Sequence, residues 1–271
     1  MKINNSLELA KEARILALEM VTRAKSSHIG SAFSMTDIVS VLYQDVLNIT
    51  PIDSENENRD IFILSKGHAC VSLYAVLSLV GFYGKKELED YGKDGSNFMT
   101  HISHKVKGVE FSTGSLGHGL PFASGRALAF KIKNSVNKVY VLLGDGELDE
   151  GSNWEALLFA SHHKLNNLVI IVDYNNLQSL TSVANTIGLE PLRGKFEAFG
   201  CTVQEVDGHD HAMLKAVLVG AAIKESKTIN VIIAKTIKGK GVSFMENSVK
   251  WHYSSPNIEE FELALKELQN A

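Results

Sequence analysis

Short apolar runs alternate along the chain with longer segments in which apolar residues recur every three or four positions. Leu9, Ala13 and Met20 form one such helical stripe. The short runs predict strands, and several are apolar on both faces, as in strands buried within a parallel sheet. They span residues 61–64, 138–143, 168–173, 201–206 and 230–234. Strands separated by helix-length segments imply right-handed crossovers, so we expect an α/β fold with a doubly wound, mostly parallel sheet flanked by helices.

The chain shows no internal repeat, no low-complexity tract and no proline-rich linker, and it contains only four prolines. We therefore predict a single domain over residues 1–271. Residues 239–256 are typical of a long ordered loop, and such loops in compact domains are usually functional or disordered. A helical pattern follows over 257–270. We expect the segment 239–271, loop and helix together, to complete the functional site.

Composition narrows the classes of function. With 45% hydrophobic and 21% charged residues, the chain has the composition of a soluble globular protein. A net charge of −4 gives no indication that the protein binds nucleic acid or an anionic membrane. The two cysteines, Cys70 and Cys201, lie far apart and indicate buried thiols in a reducing compartment. Neither a signal-peptide core nor an apolar run of about 18 residues is present, so we expect a cytoplasmic protein.

Two of the predicted strands end in polar residues that suit a metal. The run 138–143 is followed by Gly144-Asp145-Gly146, and the run 168–173 leads into Asn175 about thirty residues later, the length of one βαβ unit. Parallel strands share a carboxyl edge, where ligands of open α/β sheets bind. Carboxylate and carboxamide oxygens suit Mg²⁺ or Ca²⁺, whose remaining ligands come from water, backbone and phosphates. The sequence therefore predicts a metal-bridged phosphate or diphosphate at this edge.

Further segments bring phosphate-compatible groups to the same edge. "LSKGHA" (64–69) follows the first strand and carries Lys66 and His68, and "KTIKGKG" (235–241) follows the last strand. "STGSLGHGL" (112–120) is a glycine-rich loop that opens a helix running towards Lys133. A capping-box pattern from Ser152 to Glu155 predicts a helix over 152–164, with its N-terminal amides directed at this edge.

The remaining acids and histidines divide by context. Glu147 and Asp149 have no evident role and are expected to be solvated or helix-N-terminal charges. We expect His209 and His211, which flank an aspartate before a helix, to be capping or surface residues. Four other histidines lie in loops among small residues, where neutral imidazoles can transfer protons and hydrogen-bond hydroxyls or phosphate. These four are His28, His68, His101 and His252.

Six segments, in order over nearly the whole chain, resemble transketolase. They are "SSHIGS" (26–31), "LSKGHA" (64–69), "GVEFSTGSLGHGL" (108–120), "GDGELDEG" (144–151), "DYNN" (173–176) and "KTIKGKG…WH" (235–252). Gly-Asp-Gly followed by Asn is the general thiamine-diphosphate signature. The other segments are much more specific to transketolases.

The resemblance implies a fold, a cofactor and a missing partner. A complete transketolase has a diphosphate-binding domain, a pyrimidine-binding domain and a third C-terminal domain, and this chain resembles only the first. We therefore expect the N-terminal subunit of a split transketolase, active only with a C-terminal subunit that carries the pyrimidine-binding domain, in an α2β2 assembly. Thiamine diphosphate and Mg²⁺ (or Ca²⁺) are the implied cofactors. The implied reaction moves a two-carbon ketol unit from a ketose or ketose phosphate to an aldose or aldose phosphate, as in the pentose phosphate pathway.

The resemblance also implies a role for individual residues. The metal would be held by Asp145, Asn175 and the backbone carbonyl of Leu177. The diphosphate would be surrounded by His68, Gly146, Lys238 and His252. The rest of the cofactor cleft would be lined by Ser31, Gly114, Ser115 and Leu116. His28, His101 and His252 would face the sugar, and Glu150 resembles the glutamate that couples paired active sites across the interface.

Three departures from the family pattern leave other interpretations open. His118 stands where the loop often carries Gln, "MTHIS" replaces a Pro-Gly-His-Pro-like segment around His101, and Asn176 replaces a frequent Lys or Arg. The first two bear on the donor sugar, so a transketolase for an unusual sugar in a specialised pathway is one alternative. The α subunit of a 2-oxoacid dehydrogenase also carries Gly-Asp-Gly…Asn-Asn. A non-enzymatic, regulatory paralogue is a third alternative, which the intact Asp145/Asn175 pair disfavours.

Overall fold

Five strands form one parallel sheet in the computed structural model, which describes residues 3–52, 56–223 and 228–270. In chain order they are β1 (Ile61–Leu64), β2 (Val139–Gly144), β3 (Leu168–Tyr174), β4 (Thr202–Asp207) and β5 (Asn230–Lys235). Neighbouring strands follow the order β1-β2-β3-β5-β4, and every pairing is parallel. Each strand boundary lies within one residue of its predicted run.

Helices cover both faces of this sheet. They are α1 (Ser6–Ala24), α2 (Ile29–Val41), α3 (Cys70–Leu79), α4 (Gly119–Ile132), α5 (Gly151–His162), α6 (Val183–Thr186), α7 (Leu192–Ala198), α8 (His211–Ile223) and α9 (Ile258–Asn270). One face packs against α1, α2, α3, α8 and α9, and the other against α4 to α7. The predicted α/β architecture is confirmed. Within the described residues, no helix combines the length and the apolarity needed to cross a membrane.

The strands are apolar on both faces because both faces are covered. In β1, Phe62 and Leu64 join the core on one side of the sheet, whereas Ile61 and Ile63 join the core on the other. All four side chains are at most 4% exposed. Since successive strand residues point to opposite faces, burial on both sides requires a continuous apolar run rather than an alternating one.

The register of the sheet places the ends of β2 and β3 side by side. Gly144 pairs with Asp173, and Asp173 pairs in turn with Ala234 of β5. The backbone N–H of Asp145 donates to the Asp173 carbonyl at 3.2 Å, so the chain leaves β2 directly beside β3. The prediction that residues after these two strands meet at one edge is confirmed.

The start of α5 differs from the prediction. A short 3₁₀ turn, Gly146–Asp149, follows β2, and Glu150 rather than Ser152 occupies the N-cap position. The hydroxyl of Ser152 donates to the Gly117 carbonyl at 2.7 Å and is therefore bound to the glycine-rich loop. The capping-box prediction was wrong because the helix already begins at Gly151, so Ser152 lies inside its first turn and its hydroxyl binds the loop instead of a helix N–H.

The segment 239–256 is held on the body of the protein by its own buried side chains. Met245 and Trp251 are at most 2% exposed, and the Trp251 indole N–H donates to the Phe244 carbonyl at 3.0 Å. A 3₁₀ turn, Val249–His252, lies within this segment, and α9 then packs against α1. The predicted ordered loop and terminal helix are both present.

Candidate functional site

A cleft of 270 Å³ opens at the carboxyl ends of β2 and β3. Residues from loops after β1, β2, β3 and β5 converge on it, together with the start of α2. Most of the predicted site residues line it: His28, Ser31, His68, His101, Gly114, Leu116, Asp145, Gly146, Asn175, Leu177, Lys238 and His252. The first turn of α5 is absent from the lining among the described residues, because the 3₁₀ turn separates that helix from the strand end.

Asp145 is a buried carboxylate fixed by two backbone amides. Its oxygens accept hydrogen bonds from the N–H of Gly146 at 2.7 Å and of Asn176 at 2.5 Å. Asn176 has φ of 65°, a left-handed conformation that Asn adopts more readily than most residues. Burial, together with the nearby Asp173 carboxylate, raises the Asp145 pKa from 3.8 to about 6. A cation bound at this carboxylate would stabilise its ionised form.

Beside Asp145 lie two more oxygen donors. The carboxamide oxygen of Asn175 accepts the Leu177 N–H at 3.1 Å in the loop after β3, and the two residues both line the cleft, so the Leu177 carbonyl is the third donor. That carbonyl accepts a hydrogen bond from the Lys238 ammonium at 3.1 Å. A carboxylate, a carboxamide and a main-chain carbonyl form a donor set that suits Mg²⁺ or Ca²⁺. Among the described residues, no group of three or more His, Cys, Asp or Glu side chains is placed to hold a metal.

Behind this donor set lies a buried ion pair that the sequence analysis did not identify. The Lys66 ammonium contacts the Asp173 carboxylate, and both side chains are at most 2% exposed. Ser34 donates to the same carboxylate at 2.6 Å, and the Thr236 hydroxyl is a further donor. Although burial opposes ionisation, Lys66 and these hydrogen bonds lower the pKa of Asp173. Asp173 therefore joins β3, α2 and the segment after β5 behind the cleft.

The four loop histidines form one cluster, as their loop contexts suggested. The ring centroid of His28 lies 5.1 Å from those of His68 and His252 and 5.5 Å from that of His101. His28 has φ of 76°, and its N–H donates to the His252 carbonyl at 2.8 Å. This bond ties the start of α2 to the C-terminal segment.

Burial and positive neighbours keep this cluster uncharged. Burial, with His101 and Lys238 nearby, lowers the pKa of His28 to about 4. Burial and Lys238 lower the pKa of His252 to about 3, and the pKa values of His68 and His101 are also lowered, chiefly by burial. Neutral imidazoles can both donate and accept hydrogen bonds, which suits contacts with hydroxyl groups.

Lys238 places a cation beside the donor set. Its ammonium contacts the Leu177 and Gln178 carbonyls, each at 3.1 Å, and His252 Nδ1 at 3.0 Å. Burial and Lys66 lower its pKa to about 8, so it carries a positive charge for most of the time at neutral pH. The cleft thus presents an ammonium and neutral imidazoles to a ligand, which fits an anionic group such as a diphosphate.

The expectation that Glu147 is solvated was wrong. Glu147 is 2% exposed, and its carboxylate accepts hydrogen bonds from the Ser65 hydroxyl at 2.5 Å, from Gly117 N–H at 3.0 Å and from Gly144 N–H at 3.2 Å. The 3₁₀ turn folds this side chain back onto β2. Asp149 is half-buried and accepts a hydrogen bond from Gln178 at 2.8 Å. Glu147 therefore joins three loops that surround the site.

His209 and His211 also differ from their prediction as capping or surface residues. His209 Nδ1 lies 2.6 Å and His211 Nε2 lies 3.0 Å from the carboxylate of Asp37, whose side chain is 7% exposed. Arg14 makes two further contacts with that carboxylate, at 2.9 and 2.6 Å. Their position at the start of α8 gave no signal of a partner some 170 residues away in sequence, so only the tertiary structure identifies this cluster.

Two predicted site residues lie outside the cleft. Ser115 and Glu150 are both exposed and are not part of its lining. The side chain of Glu150 packs beside Gly117, where an added Cβ would lie 2.7 Å from the Glu150 Cβ. Neither position is contradicted by this arrangement, because the predicted role of Glu150 concerns an interface with another chain.

The lining also contains residues that sequence reasoning missed. Gln178, Ser179 and Tyr253 belong to it. Gln178 packs against Gly146 so closely that an added Cβ would meet its Cγ at 2.8 Å. Lys66, which was expected at this edge together with His68, also lines the cleft. Gln178 and Ser179 lie in an irregular loop whose sequence gave no comparable signal.

Comparison with known families identifies one match over most of the chain. The family described as "Transketolase, thiamine diphosphate binding domain" matches residues 5–268. An apulose-4-phosphate transketolase subunit from Actinobacillus succinogenes is 42% identical over 97% of this chain and 96% of its own length. The 6-deoxy-6-sulfo-D-fructose transketolase subunit SqwG of a Clostridium species is 34% identical over 96% of this chain and 94% of its own length.

Longer relatives match over part of their length only. Human transketolase is 39% identical over 93% of this chain, which corresponds to 40% of the human protein. Among solved structures, the transketolase from Leishmania mexicana superposes with a TM-score of 0.91 at 29% identity, covering 98% of this chain and 42% of that one. The chain thus spans about two fifths of the length of these full transketolases and nearly the whole length of the two transketolase subunits.

Proposed function

The chain belongs to the transketolase family, and from that premise we propose that it is the N-terminal subunit of a thiamine-diphosphate-dependent, two-chain transketolase. In this proposal the chain is a single domain that binds the cofactor diphosphate and a divalent cation. The whole enzyme transfers a two-carbon ketol unit from a ketose or its phosphate to an aldose or its phosphate. The family match does not support the alternative of a 2-oxoacid dehydrogenase α subunit.

The observation that carries the proposal is the convergence of hard oxygen donors and a buried cation in one cleft. Asp145, Asn175 and the Leu177 carbonyl lie at the carboxyl ends of β2 and β3, with Lys238 beside them. These residues would hold Mg²⁺ or Ca²⁺ and the diphosphate that shares its coordination. When bound, thiamine diphosphate supplies the carbon nucleophile and the electron sink for cleavage and formation of a C–C bond.

The chain's own residues would orient the ligands and handle protons. His68, Gly146, Lys238 and His252 are proposed to surround the diphosphate, with Ser31, Gly114, Ser115 and Leu116 along the rest of the cofactor. His28, His101 and His252 would donate to and accept from the hydroxyl and carbonyl oxygens of the sugar. Their lowered pKa values leave His28, His101 and His252 neutral at physiological pH, so each ring can accept a proton at one nitrogen while the other nitrogen donates a hydrogen bond.

The lengths of the relatives support the proposal of a partner chain. Full transketolases are more than twice as long as this chain, whereas the separate transketolase subunits match it nearly end to end. We propose that a C-terminal subunit supplies the pyrimidine-binding domain, in an α2β2 assembly in which the exposed Glu150 reaches the neighbouring active site. Two unpaired, buried cysteines suit a reducing compartment, so we propose a cytoplasmic location.

A second candidate function concerns the sugar. The two subunit relatives described above bear the names of apulose-4-phosphate and 6-deoxy-6-sulfo-D-fructose transketolases, and each is matched over at least 94% of its own length. Human transketolase, whose name carries no such sugar, is matched over only 40% of its length. This pattern favours a specialised sugar over the general pentose phosphate substrates.

The test is reconstitution with the candidate partner. The reading frame adjacent to this gene that encodes a pyrimidine-binding subunit would be co-expressed, and the complex would be titrated with thiamine diphosphate in the presence and absence of Mg²⁺. We expect metal-dependent cofactor binding by the complex, and ketol transfer from one member of a panel of donors that includes ketose phosphates, apulose-4-phosphate and 6-deoxy-6-sulfo-D-fructose. Each of the two chains by itself is the control. A complex that binds no cofactor would refute the catalytic proposal and favour a regulatory paralogue.

A further inference from the structure

The segment 235–239, which carries Lys238 into the cleft, is fixed to its surroundings at several backbone positions. The N–H of Thr236 donates to the Tyr174 carbonyl at 3.0 Å, at the end of β3. The N–H of Gly239 donates to the Gly30 carbonyl at 2.9 Å, in the first turn of α2. Backbone anchors on both sides of Lys238 therefore set the position from which its side chain reaches the cleft.

The turn after β4 provides two more anchors. Gly208 N–H donates to the Lys235 carbonyl at 2.8 Å, and a Cβ on Gly208 would lie 2.4 Å from the Thr236 methyl, so the turn lies directly against the segment. The N–H of Ile237 donates to Nε2 of His209 at 2.8 Å. Ile237 is the residue directly before Lys238, and this bond is made by a side chain rather than by backbone.

The hydrogen bonds of His209 determine its tautomer. Because Nε2 accepts the Ile237 N–H, the ring proton is on Nδ1, which donates to Asp37 at 2.6 Å. Two contacts from Arg14 hold Asp37 in place. Although burial disfavours its charge, Arg14 and the two imidazoles hold the pKa of Asp37 well below its usual range. The carboxylate thus keeps the acceptor nitrogen of His209 turned towards Ile237.

We infer that His209 is a positioning residue for the cofactor site: it holds the Ile237 amide and thereby the backbone from which Lys238 reaches the cleft, with Asp37 fixing its orientation. The inference rests on the proposed function, in which Lys238 contacts the cofactor diphosphate. The Lys238 side chain is 1% exposed and its ammonium has three defined partners, so a small rotation of the preceding peptide would misplace it. His209 itself does not line the cleft, so its effect is indirect.

Two substitutions at the same position separate this role from a purely structural one. In His209→Gln, the carboxamide oxygen ends where Nε2 lies and can still accept the Ile237 N–H. In His209→Asn, the shorter carboxamide can retain a bond to Asp37 at the position of Nδ1 but cannot reach Ile237. A role limited to supporting Asp37 predicts that Asn is the better replacement, whereas the positioning role predicts that Gln is.

His211→Asn is a matched control. His211 contacts the same Asp37 carboxylate and is buried to a similar degree as His209, with side chains 9% and 12% exposed. Its other nitrogen lies 2.9 Å from the Ser6 hydroxyl and not against the 235–239 segment. Loss of His211 should therefore lower the free energy of unfolding without changing the affinity for the cofactor.

The measurement is a thiamine diphosphate titration at fixed Mg²⁺, made on the reconstituted two-chain enzyme by calorimetry and by activation of ketol transfer. We expect His209→Asn to weaken cofactor binding about fivefold to tenfold, the effect of one lost hydrogen bond. kcat at saturating cofactor should stay within about twofold of wild type, because the reacting groups are retained. His209→Gln and His211→Asn should bind within about twofold of wild type. In the isolated chain, the Ile237 amide should exchange faster in His209→Asn than in His209→Gln.

The outcomes separate the two proposals. If the wild-type enzyme binds the cofactor and both His209 variants bind it equally well, or if the Gln variant is the weaker, the positioning role is overturned and the proposed function stands. If the wild-type enzyme binds no thiamine diphosphate, the proposed function fails, and this inference fails with it.

Discussion

The carboxylate of Asp145 offers the sharpest test, because its removal should affect stability and binding in different ways. In Asp145→Asn the buried negative charge is replaced by a neutral group of the same shape. The pKa of Asp145 is raised from 3.8 to about 6 by burial and by Asp173. Keeping this group ionised at neutral pH therefore costs the cofactor-free protein on the order of 3 kcal/mol. With Asp145 only 2% exposed, solvent screening reduces this figure little.

A second effect opposes the stability that Asp145→Asn gains by removing the buried charge. The carboxylate accepts two backbone N–H groups, from Gly146 and Asn176, whereas a carboxamide has one acceptor oxygen. The unsatisfied amide costs about 1–3 kcal/mol. We therefore expect the free energy of unfolding of cofactor-free Asp145→Asn to lie within about 2 kcal/mol of wild type at pH 7.5.

The cost of the buried Asp145 charge should also appear in how the free energy of unfolding depends on pH. Because the folded-state pKa of Asp145 is raised above its unfolded value, the folded wild type binds more protons than the unfolded chain between these values. The contribution of Asp145 to stability thus falls as pH rises from about 4 to about 6 and is constant above that. Urea unfolding at pH 5 and pH 7.5 should show the variant gaining stability relative to wild type at the higher pH. Comparing the variant with wild type at each pH removes the contribution of the titrating groups that the two proteins share.

Binding should respond much more strongly. Loss of a charged metal ligand should weaken metal-dependent binding of thiamine diphosphate by at least about a hundredfold. Even the loss of a residue that only hydrogen-bonds to a metal ligand can weaken metal binding by up to about a hundredfold. Asp149→Asn is the matched control, because Asp149 lies in the same 3₁₀ turn and does not line the cleft. Wild-type affinity in Asp145→Asn would refute the metal assignment. A large loss of stability would refute the account of the buried charge.

Three further predictions concern the surrounding site. The pKa of His28 is lowered to about 4 in the folded protein, so between pH 6.5 and 4 the unfolded chain binds a proton at His28 that the folded protein does not. The free energy of unfolding of the cofactor-free wild type should therefore fall as the pH is lowered through this range. His28→Asn should reduce this pH dependence in denaturant unfolding, and an unchanged pH dependence would contradict the prediction. Gly67→Ala should destabilise the fold by at least about 2 kcal/mol, because its Cβ would lie 2.4 Å from a backbone oxygen. Gly125→Ala, at a helical position with open space around it, should stabilise the fold by about 0.5–1 kcal/mol. Equal melting temperatures of the two variants would contradict this prediction. Lys66→Met should cost about 3–5 kcal/mol by leaving Asp173 unpaired, and adding Asp173→Asn should recover part of that loss, as urea titration of both variants would show.

Much of the fold follows from local pattern. A strand buried on both faces needs a continuous apolar run, so the five strands could be predicted to within a residue from hydrophobicity alone. The parallel arrangement follows from the helix-length connections, and with it the meeting of Asp145 and Asn175 at one edge. The glycine-rich loop and the loop histidines likewise carried enough local signal, together with the family resemblance, to predict a phosphate-compatible cleft.

Partners distant in sequence could not be predicted in this way. Glu147 was expected to be a solvated or helix-N-terminal charge and His209 a capping or surface residue. Each is instead held by groups from separate loops, Glu147 by Ser65 and Gly117 and His209 by Asp37 and Ile237. A charged or polar residue next to a turn has the same local pattern whether water or a buried partner satisfies it. The sequence by itself therefore determined the sheet, its functional edge and the chemistry delivered there. Only the tertiary structure decided which polar side chains support that edge, because hydrogen bonds between loops depend on distances that no local pattern encodes.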